Sequence, residues 1–463
     1  MKKIEEMEVK NDLIEAVKTK KTFAELGVND QLVKSVTELG YTHATEIQER
    51  SIPVLISGTK DFIGLAQTGT GKTAAFGLPL IQLINTADKY PQALVVCPTR
   101  ELCMQIVNEI NLFKKHVSGL QVLAVYGGTS IGMQIRDLKR GVQIVVATPG
   151  RLYDLLLNGA FKTKTIKRLV IDEMDEMLNL GFRTQITNIL SLLPGKRQNL
   201  LFSATITDEV ELLMNDYFTE PERIEAAPTG SPVENIIQTA YDVPNFNTKV
   251  NLLELLLSSD DTMTKVLIFV STKSLADQLY EKLNLQFPEI VGVIHSNKEQ
   301  NYRFNTVKQF KAGVFKYIIA TDIMARGIDV AEVTHVINFD TPEVPENYIH
   351  RIGRTGRADK KGIAITFITE KEKLFQQKIE TLMRQPIPML SLPKDLAIST
   401  VLIDDELPKV HMKTIQIKRP KIDAGGGAFH EKSAKNKKVN VRKSHKDEMM
   451  KKYGKPKKRG GKK

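Results

Sequence analysis

The chain has 463 residues, of which 41% are hydrophobic; that is too long for one ordinary core, so two or three globular domains are expected. No stretch approaches the ~18 uninterrupted apolar residues of a membrane span, and residues 1–20 alternate acids with bases where a secretory signal would be apolar, so a cytoplasmic protein with no membrane partner is expected. The two cysteines, Cys97 and Cys103, have neither CxxC spacing nor clustered histidines, which argues against a zinc site or a disulfide framework.

After the charged leader 1–20, Phe23 precedes a helical pattern over 32–39 that Gly40-Tyr41 closes, and Thr45-Glu46-Ile47-Gln48 follows. The apolar run 62–65 reads as a buried strand, and Ala66-Gln67-Thr68-Gly69-Thr70-Gly71-Lys72-Thr73 comes directly after it, ahead of a helix-compatible segment. That arrangement is a phosphate-binding loop: Gly69 and Gly71 permit the tight path that turns N–H groups toward phosphate, Lys72 supplies charge, and Thr73 offers a hydroxyl to Mg²⁺.

Further apolar runs at 93–97, 122–126, 143–147, 169–171 and 199–202 alternate with helix-compatible segments, which predicts a parallel sheet with crossover helices. Asp172 and Glu173 then emerge at a strand's carboxyl end, where open α/β sheets bind ligands. Asp172 can hold the Mg²⁺ that Thr73 also ligates, and Glu173 can orient an attacking water. Polar clusters follow other strands: Pro98-Thr99-Arg100-Glu101, Gly127-Gly128, Thr148-Pro149-Gly150-Arg151 and Ser203-Ala204-Thr205. They are expected on the same edge.

The first domain therefore spans 21–224, and 225–234 has the Pro/Gly/Ser composition of a linker. A second domain, 235–385, repeats the alternation with runs at 266–270, 290–294, 317–320, 333–339 and 363–368 but has no phosphate loop. It carries Thr321-Asp322, Arg326-Gly327-Ile328-Asp329 and the cluster His350-Arg351-Ile352-Gly353-Arg354-Thr355-Gly356-Arg357. Arg354 and Arg357 are expected on one helical face, one turn apart, as arginine fingers for a γ-phosphate held by the other domain.

An extension, 386–417, precedes a tail. Residues 418–463 hold 18 Lys+Arg against 4 Asp+Glu, which leaves 48 against 50 for residues 1–417. The net charge of +12 is thus a property of the tail, whose composition predicts disorder and sequence-independent attraction to polyanions.

From Phe23 to Ile368 the motifs, in order, resemble those of the DEAD-box RNA helicases of superfamily 2. Phe23, Gly40-Tyr41 and Gln48 resemble the adenine-reading Q motif, 66–73 motif I, 98–102 motif Ia, Gly127-Gly128 the GG element and 148–151 motif Ib. Asp172 to Asp175 is similar to motif II, Ser203-Ala204-Thr205 to motif III, and Phe269 lies in a run like motif IV. Gln300 and Arg303 fit the QxxR element, 320–329 motif V and 350–357 motif VI.

The resemblance implies an α/β fold of two tandem RecA-like domains that bind ATP and Mg²⁺, hydrolyse ATP in response to RNA, and locally unwind short duplexes or remodel RNA–protein complexes. It implies that Asp329 meets the ribose, that Asp175, Ser203, Thr205 and His350 couple the sites, and that Arg100, Gly128, Thr148, Gly150, Arg151, Arg303 and Thr321 touch RNA. Ribosomal precursors and RNA-decay complexes are compatible targets. The sequence departs from the family pattern at Ala44, Met174 and Met324, and Met174 is expected to alter packing against motif III. Two other readings stay open, a DNA-translocating helicase and an ATP-gated RNA clamp or annealing factor with weak unwinding.

Overall fold

The described residues of the computed structural model are 20–58, 60–66, 69–226, 236–322, 333–356, 361–407, 450–452 and 454. The first lobe is built on β1 (Phe62–Leu65), β2 (Ala93–Val96), β3 (Val122–Val125), β4 (Ile144–Ala147), β5 (Arg168–Asp172), β6 (Gln198–Ser203) and β7 (Glu222–Glu225). They form one sheet in the order β3-β4-β2-β5-β6-β1-β7, paired in parallel throughout. Strands such as Ala93–Val96 and Ile144–Ala147 are continuous apolar runs because helices cover both faces of the sheet. Side chains alternate between those faces: Val170 joins the core around Phe62, Phe76 and Phe202, while Leu169 and Ile171 join the one around Met174, Met177 and Val210.

The second lobe repeats the plan with β8 (Ile236–Asp242), β9 (Val266–Phe269), β10 (Val291–Ile294), β11 (Tyr317–Ala320), β12 (His335–Asn338), β13 (Gly362–Ile368) and β14 (Met389–Leu390), in the order β10-β11-β9-β12-β13-β8-β14. The two parallel sheets with flanking helices are the expected RecA-like pair. Strands β7, β8 and β14 add to the expected set. β7 reads Glu-Arg-Ile-Glu and buries only Ile224, as suits a charged edge strand. It runs through Glu225, the first residue of the expected linker, and 227–235 lie outside the described residues.

Part of the extension beyond residue 385 straps onto the second lobe. Asn245 Nδ2 donates to the Ser399 carbonyl at 2.6 Å, Asn251 Nδ2 to that of Ala397 at 2.6 Å, and the Phe246 N–H to Glu406 Oε1 at 2.6 Å. The basic tail lies almost wholly outside the described residues. Among the described residues no helix is long and apolar enough to cross a membrane.

Candidate active site

Three neighbouring strands deliver the site. β5, β6 and β1 lie side by side, with Asp172 level with Phe202 and Leu65 level with Ser203. Their carboxyl ends therefore place the phosphate loop, Asp172-Glu173 and Ser203-Ala204-Thr205 next to one another. A cavity of ≈330 Å³ opens there, lined among others by Phe23, Gln48, Gly69, Gly71, Lys72, Thr73, Asp172, Glu173 and, from the second lobe, Arg354.

Gly71 leads the loop into helix Lys72–Gln82 at φ 93°, and a Cβ there would collide with Gln48 Nε2. The residue is glycine both for its left-handed backbone and for that close approach. Gln48 Nε2 donates to the Gly71 carbonyl at 3.0 Å, and its Oε1 accepts from the Thr45 N–H at 2.9 Å. Thr45 Oγ1 donates to the Thr70 carbonyl at 2.8 Å. Gln48 thus staples helix Glu46–Ser57 to the phosphate loop, a role the linear sequence does not reveal.

Lys72 Nζ and Asp172 Oδ1 are buried without a protein hydrogen-bond partner. Leaving two such groups unpaired is costly, so their convergence on one cavity marks a place for phosphate oxygens and a cation. Burial above all pushes the Asp172 carboxyl up to about 7, against the pull of Lys72 and with Glu173 adding to the rise. Glu173 is 6% exposed and stands at φ 53° ahead of helix Met174–Asn179, its N–H bonded to the Phe202 carbonyl at 2.9 Å.

Asp175 is the hub between the lobes. Its Oδ2 accepts from the Thr205 N–H at 3.0 Å and Thr205 Oγ1 at 2.7 Å, and lies 3.7 Å from His350 Nε2. Ser203 Oγ donates to the Thr205 carbonyl at 2.8 Å. Burial raises the Asp175 pKa, but His350, Thr205 and Lys72 outweigh it and hold the carboxyl well below the usual range. Met174 is 1% exposed in the apolar core. The Asp175–Thr205 link forms with that methionine in place.

The arginine cluster departs from expectation. Helix Pro345–Ile352 ends at Gly353, so Arg354 leaves from the turn beyond it and not from a helical face. Arg357, Thr68, Asp329 and Met324 lie outside the described residues. Arg351, 2% exposed, is committed to Asp322 through Nε at 2.5 Å and Nη2 at 2.8 Å.

A second cavity of ≈490 Å³ forms a groove between the lobes, lined by Arg100, Thr148, Gly150, Arg151 and Arg303 among others. Gly128 lies against the Arg100 guanidinium, and Thr321 follows the end of β11; neither is in that lining. Arg303 and Arg100 are both engaged across the groove. Glu101 Oε1 meets Arg303 Nη1 at 3.2 Å and accepts from Gln300 Nε2 at 2.8 Å, while Gln300 Oε1 accepts from Arg303 Nη2 and, at 3.5 Å, from Arg100 Nη1. Motif Ia and the QxxR element thus clasp the lobes together, and Glu101, which the sequence placed in the polar cluster after β2 without a role, is the member that joins them.

A DEAD/DEAH box helicase family model matches residues 45–213, and a helicase conserved C-terminal domain model matches 248–359. The DEAD-box ATP-dependent RNA helicase CshA of Bacillus cereus is 41% identical over 372 residues, covering 80% of this chain and 70% of the relative. Its Bacillus subtilis counterpart is 41% identical over 375 residues, covering 80% and 74%. Among solved structures, S. cerevisiae Dbp5 bound to RNA and ADP BeF3 superposes with a TM-score of 0.73 at 32% identity, covering 81% of this chain and 96% of that one. Mss116p bound to ssRNA and AMP-PNP gives 0.75 at 30% identity, covering 81% and 80%. With the paired lobes, the shared cavity and these relatives together, the chain belongs to the DEAD-box family of ATP-dependent RNA helicases.

Proposed function

We propose that ATP with Mg²⁺ occupies the cavity between the phosphate loop and Arg354, that RNA lies along the groove between the lobes, and that hydrolysis drives local separation of short duplexes or remodelling of RNA–protein complexes. One observation carries the reading: Arg354 of the second lobe lines the same cavity as Lys72, Asp172 and Glu173 of the first. A site completed only when both lobes meet makes hydrolysis depend on whatever closes them. The likeness to chains bound to RNA and to ATP analogues supports RNA as that agent.

In this scheme Phe23 and Gln48 bind the base, and the loop N–H groups with Lys72 cradle the phosphates. Thr73 and Asp172 would hold Mg²⁺, which when bound supplies positive charge to the phosphate oxygens. Glu173 orients the attacking water, and Arg354 with Arg357 offsets charge developing on the γ-phosphate. Asp175, Thr205 and His350 transmit closure. Phosphate and 2′-hydroxyl contacts along the groove give little sequence preference.

Steady-state ATPase with and without RNA tests this. Hydrolysis is expected to rise with RNA and to fall by roughly 10²–10⁴-fold in Glu173→Gln, with nucleotide binding retained. Turnover indifferent to RNA, or undiminished by Glu173→Gln, would contradict it.

A further inference from the structure

The second lobe's wall of the groove carries a cation that the scheme above does not use. Lys298 lines the groove, with Gly150 and Arg151 also in its lining. Its neighbour Arg303 is occupied by Glu101 and Gln300. Lys298 is held in place from behind: its Nζ is 2.9 Å from Asp277 Oδ1 and 5.9 Å from the Tyr302 ring centre. The same carboxylate oxygen meets His295 Nε2 at 2.9 Å, and His295, directly after β10, is 1% exposed. A buried histidine thus fixes the aspartate, and the aspartate fixes the lysine. That array spends little further conformational freedom when Lys298 meets a ligand.

The first lobe answers it. Helix Pro149–Leu157 begins with proline and has no side-chain cap, and nothing lies within 4 Å of where a Gly150 Cβ would stand. Its open amide groups and the positive end of its dipole suit an anion in the groove. Both walls therefore favour the same charge, and the anion that follows from an RNA groove is a backbone phosphate.

We infer that Lys298 is an RNA-phosphate contact of the second lobe, positioned by Asp277 and His295. The inference rests on the RNA-binding reading above. Since Lys298 shares its ammonium between Asp277 and the phosphate, its contribution is smaller than that of a cation without a prior partner, and it is blind to base identity.

The test is fluorescence anisotropy of a labelled single-stranded oligonucleotide RNA with the full chain, Mg²⁺ and a non-hydrolysable ATP analogue across a KCl series. Lys298→Gln is expected to weaken binding roughly three- to tenfold at low salt and to reduce the slope of log affinity against log salt by about 0.7. Lys298→Arg should keep both, since it preserves the charge; thermal unfolding of each variant verifies the fold. A Lys298→Gln slope equal to that of the parent, with the parent binding RNA, overturns this assignment alone. No RNA binding by the parent overturns the proposed function as well.

Discussion

At the scale of single residues, Glu173 lines the first cavity from a left-handed backbone. A non-glycine residue at φ 53° costs about 1–3 kcal/mol, and here the strain persists because β6 and the following helix hold both sides of it. Asp172, one residue earlier, sets a pH dependence. Its folded pKa of about 7 lies above the ordinary aspartate value of 3.8, so with the site empty it holds a proton between those values and contributes less stability as pH rises through that window. A divalent cation needs the carboxylate. Affinity for Mg·nucleotide is therefore expected to fall about tenfold between pH 8 and pH 6, with proton release on binding near neutrality. Calorimetric titrations in two buffers of different ionisation enthalpy check this, and a flat profile would show that Asp172 is already ionised.

At the scale of elements, helix starts carry the binding chemistry and buried ion pairs carry the frame. Helix Lys72–Gln82 begins at a glycine with no side-chain cap, so its first N–H groups stay available to a ligand. In the second lobe, Lys249 sits inside helix Phe246–Ser259 with its ammonium 3.2 Å from Asp340 and 2.8 Å from Glu372. All three side chains are at most 12% exposed. Glu372 also accepts from the N–H groups of Thr341 and Thr369, and Asp340 from that of Ser271. Lys249→Met would strand two buried carboxylates and is expected to cost about 3–5 kcal/mol, read as a lower urea midpoint in equilibrium unfolding. The change leaves the phosphate loop untouched, so an unaltered midpoint would mean that water reaches the cluster.

At the scale of the whole molecule, the lobes meet among the described residues at two separate places, Asp175 with His350 at the first cavity and Arg100-Glu101 with Gln300 and Arg303 at the groove. Under the proposed function the same pairing of lobes serves both sites, so that occupancy of one would bias the other. The basic tail belongs to this scale because its 18 Lys+Arg against 4 Asp+Glu attract polyanions at long range. Truncation before Lys418 is expected to weaken RNA affinity and flatten its salt dependence while leaving RNA-stimulated ATPase intact. Loss of that stimulation would place the tail in the catalytic cycle.

The phosphate loop, the paired carboxylates and the alternation of buried runs were legible in the sequence because each is local chemistry: a turn glycine, a lysine and a hydroxyl within eight residues, or acids at the end of one strand. The strands β7, β8 and β14 were not. β7 and β14 are edge strands that bury little, and β8, paired on both sides, reads Ile-Ile-Gln-Thr-Ala-Tyr-Asp, so no continuous apolar run marks any of them. The three-residue spacing of Arg354 and Arg357 suggested one helical face, but Gly353 ends the helix before Arg354, and Arg351 within the helix turns inward to Asp322. Gln48 as a staple and Glu101 as a clasp depend on partners distant in the chain, 200 residues away in the case of Arg100 and Gln300. Sequence determined which groups can do the chemistry. Tertiary structure decided which of them face the ligand and which hold the lobes together, because packing alone fixes the distances that make the difference.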